Sequence, residues 1–587
     1  MATKSIERKW WKEDVVFQVY PASFMDTNGD GWGDIPGITA KLDYLKNLGV
    51  DIIWVSPIYK SPQADMGYDI ADYEDIDPRY GTLEDVDHLI AQLKARDMKL
   101  MMDLVVNHTS NEHAWFVESR SSKQSPKRDW YIWKSPRFDA NGNRQPPNNW
   151  AQLLGEANSA WTYDDATGEY YLSLFTPEQP DLNWENPEVR HAVHDILRFW
   201  LDRGACGFRM DVINLISKVQ SFPDADVVVP DHAYQPADKY YANGPRLHEY
   251  LQEINREVLA KYDTVTVGEM PFVRDEEEVL KVVGADREEL NMIFIFSLVD
   301  IDNVPGDFKY TLHPWDARDL KQIIGKWQRI MHDRGGWNSL FCENHDQPRS
   351  VSRFVDDSDE YREVGAKLLC LMQTTLGGTV YVYQGEELGM RNVPPSWEPD
   401  EYKDIESINF FQKTRDMYPN DAEKFARARH ILQRKARDNA RTPVQWDASP
   451  NAGFCPPHVT PWMRVNDDFA VVNAAEQVGR SAVGDPSVFE FWKLRLAERK
   501  KRKDVFVYGD FELLDEPNDK VFAYRRFSEY DSFLVVLNFS GQNVEWKVPK
   551  NVEVKEWLAG NYTGRKPEKD SKEQVTLLPW EGLTATC

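Results

Sequence analysis

The chain has 587 residues, of which 41% are hydrophobic, so it can bury a large core and is not globally disordered. Its 70 Lys and Arg residues stand against 96 Asp and Glu residues, which gives a net charge of −26. This negative charge argues against a nucleic-acid or anionic-membrane partner, because phosphate backbones and anionic lipids recruit positive charge.

Short apolar, β-branched runs alternate with helical patterns along most of the chain. In 82–97 the apolar residues recur at helical spacing behind Thr82, a suitable N-cap, and in 187–203 the same spacing ends at Gly204. Strands that are apolar on both faces and interleaved with helices predict a closed parallel (β/α)8 barrel. A doubly wound open sheet is the alternative, but no glycine-rich phosphate-binding turn follows the first strand. The eight predicted strands are 15–20, 51–56, 99–106, 207–212, 264–267, 292–299, 339–342 and 378–383.

Three stretches depart from this repeat and predict the domain organisation. Residues 109–186 are polar and rich in Trp, Asn and Pro, which indicates an inserted domain at the carboxyl ends of the strands. Residues 391–445 resemble a second, partly helical insertion. From 508 to 587, short alternating segments between turn signals predict a small antiparallel β-domain. The predicted catalytic barrel therefore comprises 1–108 and 187–507.

Polar side chains with catalytic potential follow several of the predicted strands. Asp211, Glu269 and Asp346 stand at or just after the ends of the fourth, fifth and seventh strands, and His108 follows the third. A parallel barrel gathers such ends on one face, where its active sites lie. One Asp there is more often a helix cap or an ion-pair partner, but four such ends in one chain favour a site. A pair of carboxyls can cleave a glycosidic bond, one by protonating the leaving oxygen and one by attacking or activating water.

Four ordered motifs of the chain resemble the α-amylase superfamily of retaining α-glycoside hydrolases. The motifs are Asp103-Leu-Val-Val-Asn-His108, Gly207-Phe-Arg-Met-Asp211, Val267-Gly-Glu269 and Asn344-His-Asp346. Residues 179–183 (Gln-Pro-Asp-Leu-Asn) are similar to the signature of the oligo-1,6-glucosidase and α-glucosidase branch. The resemblance covers nearly the whole chain. It implies an α/β fold, with a (β/α)8 TIM-type barrel, a loop-rich domain inserted after the third strand and a C-terminal antiparallel β-sandwich domain.

The resemblance also implies roles for individual residues. Asp211 would be the nucleophile that forms a covalent glycosyl-enzyme, Glu269 the acid that then serves as base, and Asp346 the group that holds sugar hydroxyls. Asp65 and Arg437 match the pair that grips the non-reducing glucose and closes the pocket, as in an exo-acting enzyme. The residues that it implies for substrate binding are Asp65, Tyr68, His108, Phe175, Gln179, Arg209, Val212, His345 and Arg437.

The residue after the implied nucleophile bears on linkage. In this branch, α-1,6-active enzymes resemble this chain in carrying Val at the position of Val212, whereas α-1,4-preferring maltases carry Thr or Ala. The resemblance therefore implies isomaltase-type activity, alongside possible maltose or sucrose activity. Phe272 is a departure, because some yeast isomaltases carry His there. Open alternatives are an α-1,4-preferring maltase and a transglycosylase or sucrose isomerase that uses the same covalent intermediate. A non-catalytic transporter subunit is disfavoured, because such relatives tend to lose the acids and carry a membrane segment.

One loop resembles the single Ca²⁺ site of oligo-1,6-glucosidases. Oxygen-bearing side chains alternate through residues 26–34, but Gly37 stands where an EF-hand has its bidentate Glu, so the loop is not an EF-hand. A polar turn is the alternative reading. The resemblance implies a structural Ca²⁺, with the carbonyl of Trp32 among its ligands. No catalytic metal is expected, because no His-x-x-x-His or paired-Cys pattern appears. The implied ligands are Asp26, Asn28, Asp30, Trp32 and Asp34.

The amino terminus and the cysteines predict a cytoplasmic protein. The first residues contain no apolar segment typical of a signal peptide, and no apolar run approaches the roughly 18 residues of a membrane span. The five cysteines are odd in number and scattered, which favours reduced thiols. The sequon at residues 107–109 lies at the predicted site, where a glycan would be harmful. The expected partner is a small oligosaccharide or disaccharide, with the chain a monomer or weak homo-oligomer.

Overall fold

A computed structural model describes residues 6–155, 158–273, 275–304, 309–480, 485–558, 560–562, 564–567 and 572–587. Its central feature is a ring of eight parallel strands, each paired with its neighbours in chain order. The bridge between Ile293 and Asn338 brings the sixth strand to the seventh and closes the barrel, as predicted. The strands are β1 (Val15–Val19), β2 (Ile52–Val55), β3 (Lys99–Val105), β4 (Gly207–Asp211), β5 (Val265–Glu269), β6 (Met292–Phe294), β7 (Ser339–Leu340) and β8 (Thr379–Tyr383).

The alternation of side chains along each strand fills both faces of the barrel wall. In β1, Val16 joins the cluster inside the barrel, whereas Phe17 joins the larger core between strands and helices. Inside the barrel the ring of Phe294 stacks on Trp54 at 5.6 Å and meets Tyr381 edge-on at 4.9 Å. Because both faces are buried, the strands read as continuous apolar runs.

Helices with defined ends surround the barrel. Thr82 and Asp85 form a reciprocal capping box at the start of the helix Leu83–Ala95. Gly204 ends the helix Pro187–Arg203 with φ of 120°, a conformation that only glycine adopts without strain. Other long helices packed around the strands are Leu42–Leu48, Leu247–Glu257, Glu276–Val283, Ala317–Arg334, Arg362–Thr375 and Val488–Lys501.

Two insertions stand at the carboxyl ends of the strands. Within 109–186 lie the helix Ala114–Arg120 and an antiparallel sheet of Trp133–Lys134, Glu169–Leu172 and Trp161–Asp164. This insertion returns to the barrel through a backbone bridge between Asp181 and His108. The second insertion contains the helices Ile405–Met417, Ala422–Lys435 and Asp438–Arg441.

The C-terminal part of the chain is an antiparallel β-domain. Its larger sheet has the order Asp510–Leu514, Val521–Phe527, Ser532–Asn538, Gly582–Thr586 and Glu556–Trp557, and Val544–Lys547 pairs with Gln574–Leu577. Tyr524 of this domain hydrogen-bonds Thr375 of a barrel helix at 2.6 Å. Among the described residues, no helix is long and apolar enough to cross a membrane.

Candidate active site

The three predicted carboxylates meet at the carboxyl ends of the barrel strands. Asp211 ends β4, Glu269 ends β5 on the neighbouring strand, and Asp346 lies in the loop that follows β7. All three line one cavity of about 290 Å³. Asp211 and Glu269 are almost fully buried, at 7% and 6% exposure. The fold therefore delivers a small acidic pocket with catalytic side chains on rigid strand ends.

Arg209 connects the two most buried carboxylates. Its Nη1 lies 2.7 Å from Asp211 Oδ1, and its Nη2 lies 2.8 Å from Glu269 Oε2. Arg209 and Asp211, both on β4, point to the same face because side chains alternate along a strand. Asp103 on β3 completes the arrangement with its Oδ1 3.0 Å from Arg209 Nη1. One guanidinium thus fixes the relative positions of two potential catalytic groups.

The protonation of Asp211 is set by its surroundings. Burial raises the pKa of Asp211 well above its usual value, and the carboxylates of Glu269 and Asp103 act in the same direction. Arg209 opposes them by favouring the ionised form. A crowded carboxyl pair cannot easily carry two negative charges. Such a pair is suited to work in which one member is an acid while the other is ionised.

The pKa of Asp346 is shifted in the opposite direction to that of Asp211. Arg441 Nη2 lies 2.7 Å and Arg437 Nη1 lies 3.2 Å from its Oδ1, while His345 Nε2 lies 3.3 Å from Oδ2. Burial alone would raise the pKa of Asp346, but the guanidinium groups of Arg437 and Arg441 outweigh it and lower this pKa well below the usual range. Asp346 is therefore ionised throughout the physiological range and can accept hydrogen bonds from substrate hydroxyls.

A second set of contacts closes one end of the pocket. Arg437 Nη2 lies 3.1 Å from Asp65 Oδ1 and 2.9 Å from Asp404 Oδ2. Burial raises the pKa of Asp65 to about 6, although Arg437 opposes this shift. Gln179 Nε2 donates to Asp65 Oδ2 at 3.1 Å. Residues from the β2 loop and both insertions thus seal the end of the cavity.

The remaining predicted binding residues surround the same cavity. Tyr68 Oη lies 2.6 Å from His345 Nε2, and the two rings are stacked. His108 contacts the carbonyl of Tyr68 at 3.0 Å and the ring of Phe175 at 5.0 Å. Burial lowers the pKa of His108 to about 4 and that of His345 to about 3, so both rings are neutral near pH 7. The structure brings together every residue that the sequence predicted for substrate binding.

Val212 has a strained backbone at the edge of the site. Its φ of 33° and ψ of 41° place a β-branched residue in the left-handed region, which such residues rarely adopt. In this conformation its N–H donates to Glu269 Oε2 at 3.2 Å. Strain of this kind persists where the surrounding structure holds it, often at functional sites. The side chain of Val212 lines the cavity.

Three functional contacts were missed from the sequence. Arg441 holds Asp346 from one helical turn beyond Arg437, so the i, i+4 spacing on a short helix was the available signal. Asp404 caps the helix Ile405–Met417 and binds Arg437 and Arg441. Asp103 faces Arg209 directly in the strand register, which requires knowledge of the pairing.

In the predicted Ca²⁺ loop, several side-chain oxygens accept hydrogen bonds from the backbone N–H groups of the loop itself. Asp26 accepts from the N–H groups of Gly29 and Gly31, which leaves lone pairs on both oxygens, and the exposed Asn28 and Asp30 each accept one bond. Asp34 instead caps the helix Ile35–Ala40, and four donors from neighbouring residues occupy its oxygens. No three His, Cys, Asp or Glu side chains of the described chain converge as a metal site. A cation here would therefore depend on amide and carbonyl oxygens beside Asp26 and Asp30.

Comparisons with known proteins agree with this architecture. The α-amylase catalytic domain model matches residues 18–509, and the maltogenic amylase C-terminal domain model matches residues 511–582. An α-glucosidase of Schizosaccharomyces pombe is 51% identical, over 99% of this chain and 98% of its own. An oligo-1,6-glucosidase of Parageobacillus thermoglucosidasius is 47% identical, over 98% of each chain. The crystal structure of an isomaltulose synthase mutant from Erwinia rhapontici with sucrose has 40% identity and a TM-score of 0.91, with 99% of both chains covered. The chain belongs to the α-amylase family of glycoside hydrolases.

Proposed function

We propose that the protein is an exo-acting, retaining α-glucosidase that releases glucose from the non-reducing end of short α-glucosides. The observation that carries this proposal is the pair Asp211 and Glu269, which share the guanidinium of Arg209 and are close enough that Glu269 raises the pKa of Asp211. An inverting enzyme needs its carboxyls roughly 6.5–9.5 Å apart to admit a water, whereas a retaining enzyme holds them closer. The binding of both carboxyls to one guanidinium keeps them close together and supports the retaining mechanism.

Each group then has a distinct step in the reaction. Asp346, already ionised, accepts hydrogen bonds from hydroxyls of the bound glucose. Arg209 favours the ionised form of Asp211 against the effect of burial, and in this form Asp211 attacks the anomeric carbon. Glu269 gives its proton to the leaving oxygen, so the glycosidic bond breaks as the bond to Asp211 forms. Glu269 then removes a proton from water as the water oxygen attacks the anomeric carbon, so the bond to Asp211 breaks, glucose is released and the Asp211 carboxylate is restored. Arg209 binds both carboxyls and so holds their relative positions, and Asp103 orients Arg209.

The closed end of the pocket supports an exo action. Asp65, Arg437 and Asp404 block the direction in which a longer chain would continue beyond the bound glucose. An endo-acting amylase needs a cleft that is open at both ends. The cavity of about 290 Å³ instead suits one glucose unit with its leaving group toward the mouth.

We infer a preference for α-1,6 links from Val212, whose side chain lines this cavity. Val212→Thr keeps the β-branched shape and the strained backbone, and it adds one hydroxyl. We expect the ratio of kcat/KM for isomaltose to that for maltose to fall by roughly tenfold, the scale of a single small contact in a pocket. Steady-state kinetics of the wild type and the variant on both disaccharides measure this ratio. Negligible isomaltose turnover by the wild type would instead assign an α-1,4-preferring maltase.

A second candidate function is the isomerisation of sucrose or transglycosylation. The similarity to an isomaltulose synthase solved with sucrose favours it, because water and a sugar hydroxyl compete for the same covalent intermediate. Product analysis at high sucrose or maltose concentration separates the two outcomes. Glucose and fructose as the dominant sucrose products support hydrolysis, whereas new disaccharides support transfer.

We also propose that the loop at residues 26–34 binds a structural Ca²⁺ through Asp26, Asn28, Asp30 and the carbonyl of Trp32. Asp34 acts as the helix cap beside this set. Calcium that binds only the folded chain stabilises it, by about 2.7 kcal/mol at a hundredfold excess over Kd. We expect added Ca²⁺ to raise Tm by several degrees over the EDTA-treated protein, and Asp30→Ala to lose this response. Asp165→Ala, at an exposed turn elsewhere, is the matched control, and an unchanged Tm in the wild type would contradict the site.

We further propose a cytoplasmic setting and a monomer or weak homo-oligomer. All five cysteines are free, which is compatible with a reducing compartment. Cell fractionation tests the first statement, and light scattering after size exclusion tests the second.

A further inference from the structure

Lys435 is a buried cation that none of the catalytic steps uses. It ends the helix Ala422–Lys435, and its side chain is 1% exposed. Its Nζ lies 2.6 Å from Asp302 Oδ1 and donates to Asn303 Oδ1, also at 2.6 Å. Arg353 grips the same carboxylate from another helix, because its Nε donates to Asp302 Oδ2 at 3.2 Å and its Nη2 pairs with Oδ1. Two cations from separate helices therefore anchor one short segment.

This segment, residues 299–303, forms part of the cavity wall and is called here the wall segment. Val299, Asp300 and Asn303 line the cavity. Arg353 also donates to the carbonyl of Val299, so the segment is held at both ends. Asn303 Nδ2 donates to Asp300 Oδ1 at 2.8 Å. A chain of hydrogen bonds thus runs from Lys435 through Asn303 to the carboxylate of Asp300.

The wall segment lies on the side of the cavity where the leaving group departs. It follows β6, which pairs directly with β5, and β5 ends at Glu269. Pro271 and Phe272, just after Glu269, line the same cavity. A general acid must reach the leaving oxygen, so the leaving group lies on the side of Glu269. Asp65 and Arg437 pair with each other, and Arg437 also pairs with Asp404, at the closed end of the cavity.

We propose that Lys435 is a positioning residue which, through Asp302 and Asn303, holds Asp300 against the hydroxyls of a sugar leaving group and so determines which leaving groups the enzyme accepts. The inference rests on the proposed α-glucosidase function and deepens it. Asp300 supplies a hydrogen-bond acceptor that suits a sugar and gives no advantage to an aromatic leaving group. Lys435 also borders the cavity, but its 1% exposed side chain is directed to Asp302 and Asn303, so it acts through the wall segment.

The charge of Lys435 is sensitive to alkaline pH. Burial, with repulsion from Arg353 and Lys309, lowers the pKa of Lys435 to about 8, although Asp302 opposes this shift. The amine is therefore charged below pH 8 and loses its attraction to Asp302 as the pH rises beyond that value. A guanidinium at position 435 would stay charged over the same range.

The test compares two substrates that share the glucose unit and differ in the leaving group, isomaltose and p-nitrophenyl α-glucoside. We expect Lys435→Met to lower kcat/KM for isomaltose by roughly 10- to 100-fold, the scale of a small misplacement of contacting groups. The loss should appear mainly as a raised KM, and the aryl substrate should change by less than about twofold because its glucose contacts are intact. Lys435→Arg should restore most of the isomaltose activity. Above pH 8, the wild type should lose isomaltose activity relative to Lys435→Arg. Both proteins contain Glu269, so a difference between them is due to residue 435.

Lys321→Met is the matched control. Lys321 is an equally buried lysine held by the carbonyls of Asp515, Asn518 and Val521, at the contact with the C-terminal domain. Lys321→Met should leave the ratio of kcat/KM for isomaltose to that for p-nitrophenyl α-glucoside unchanged. Asp302→Asn, which keeps the shape of the side chain, provides a second test if Lys435→Met does not fold. Equal losses on both substrates, or a fall in kcat without a rise in KM, would overturn the inference. Failure of the wild type to hydrolyse either glucoside would overturn the proposed function itself.

Discussion

Asp211→Ala will lose hydrolysis of isomaltose and of aryl α-glucosides by roughly 10⁴-fold or more, because no other group can form the covalent bond to the sugar. The fold should survive and gain stability. Burial and neighbouring carboxylates raise the pKa of Asp211, so an ionised Asp211 lowers the free energy of unfolding. Steady-state kinetics and thermal unfolding measure the two effects.

The covalent intermediate offers an independent check on this prediction. A slowly hydrolysed fluorinated glucosyl fluoride should add one sugar to the wild type in an intact-mass measurement and none to Asp211→Ala. Asp531→Ala, at an exposed position of the C-terminal domain, is the control and should keep full activity. Unchanged hydrolysis by Asp211→Ala would remove the proposed mechanism.

Glu269→Gln will separate substrates by the quality of their leaving groups. The side-chain amide can still accept a hydrogen bond from Arg209, but it cannot supply a proton. Isomaltose hydrolysis should therefore fall by roughly 10²- to 10⁴-fold. The bond to p-nitrophenolate needs little help from an acid, so formation of the glycosyl-enzyme from that substrate should fall far less. The second step still lacks its base, and azide should restore turnover by attacking the intermediate without deprotonation.

Pre-steady-state kinetics distinguish the two steps of this variant. An initial burst of p-nitrophenol followed by slow turnover is the expected pattern. An equal loss of rate on both substrates, without a burst, would show that Glu269 acts in some other way, such as holding Val212.

Much of the barrel could be predicted because its strands are buried on both faces and read as apolar runs. The sixth strand shows the limit of this signal. Residues 292–299 are apolar enough to predict one strand, but β6 ends at Phe294. Beyond it the chain turns into the wall segment, whose carbonyl and carboxylate groups bind Arg353 and Lys435. Those partners lie far along the chain, so no local pattern could end the strand there.

The same division applies to the site. Asp211 and Glu269 could be predicted because each ends a strand, and strand ends share one face of a barrel. Arg441 and Asp404 could not, because they reach Asp346 and Arg437 only after a distant helical insertion folds back over the barrel. Calcium binding and linkage preference stay predictions, since they depend on a ligand and on relative rates.

The seal formed by Asp65, Arg437 and Asp404 also dictates the order in which products depart. With one end of the cavity closed, the bound glucose has no separate exit. The leaving sugar must go first, since it occupies the mouth through which water enters. Glucose is then the last molecule out, and free glucose can return to the empty enzyme along the route that the next substrate takes. The proposed enzyme would therefore slow down as its own product accumulates, by direct competition for the deepest part of the cavity.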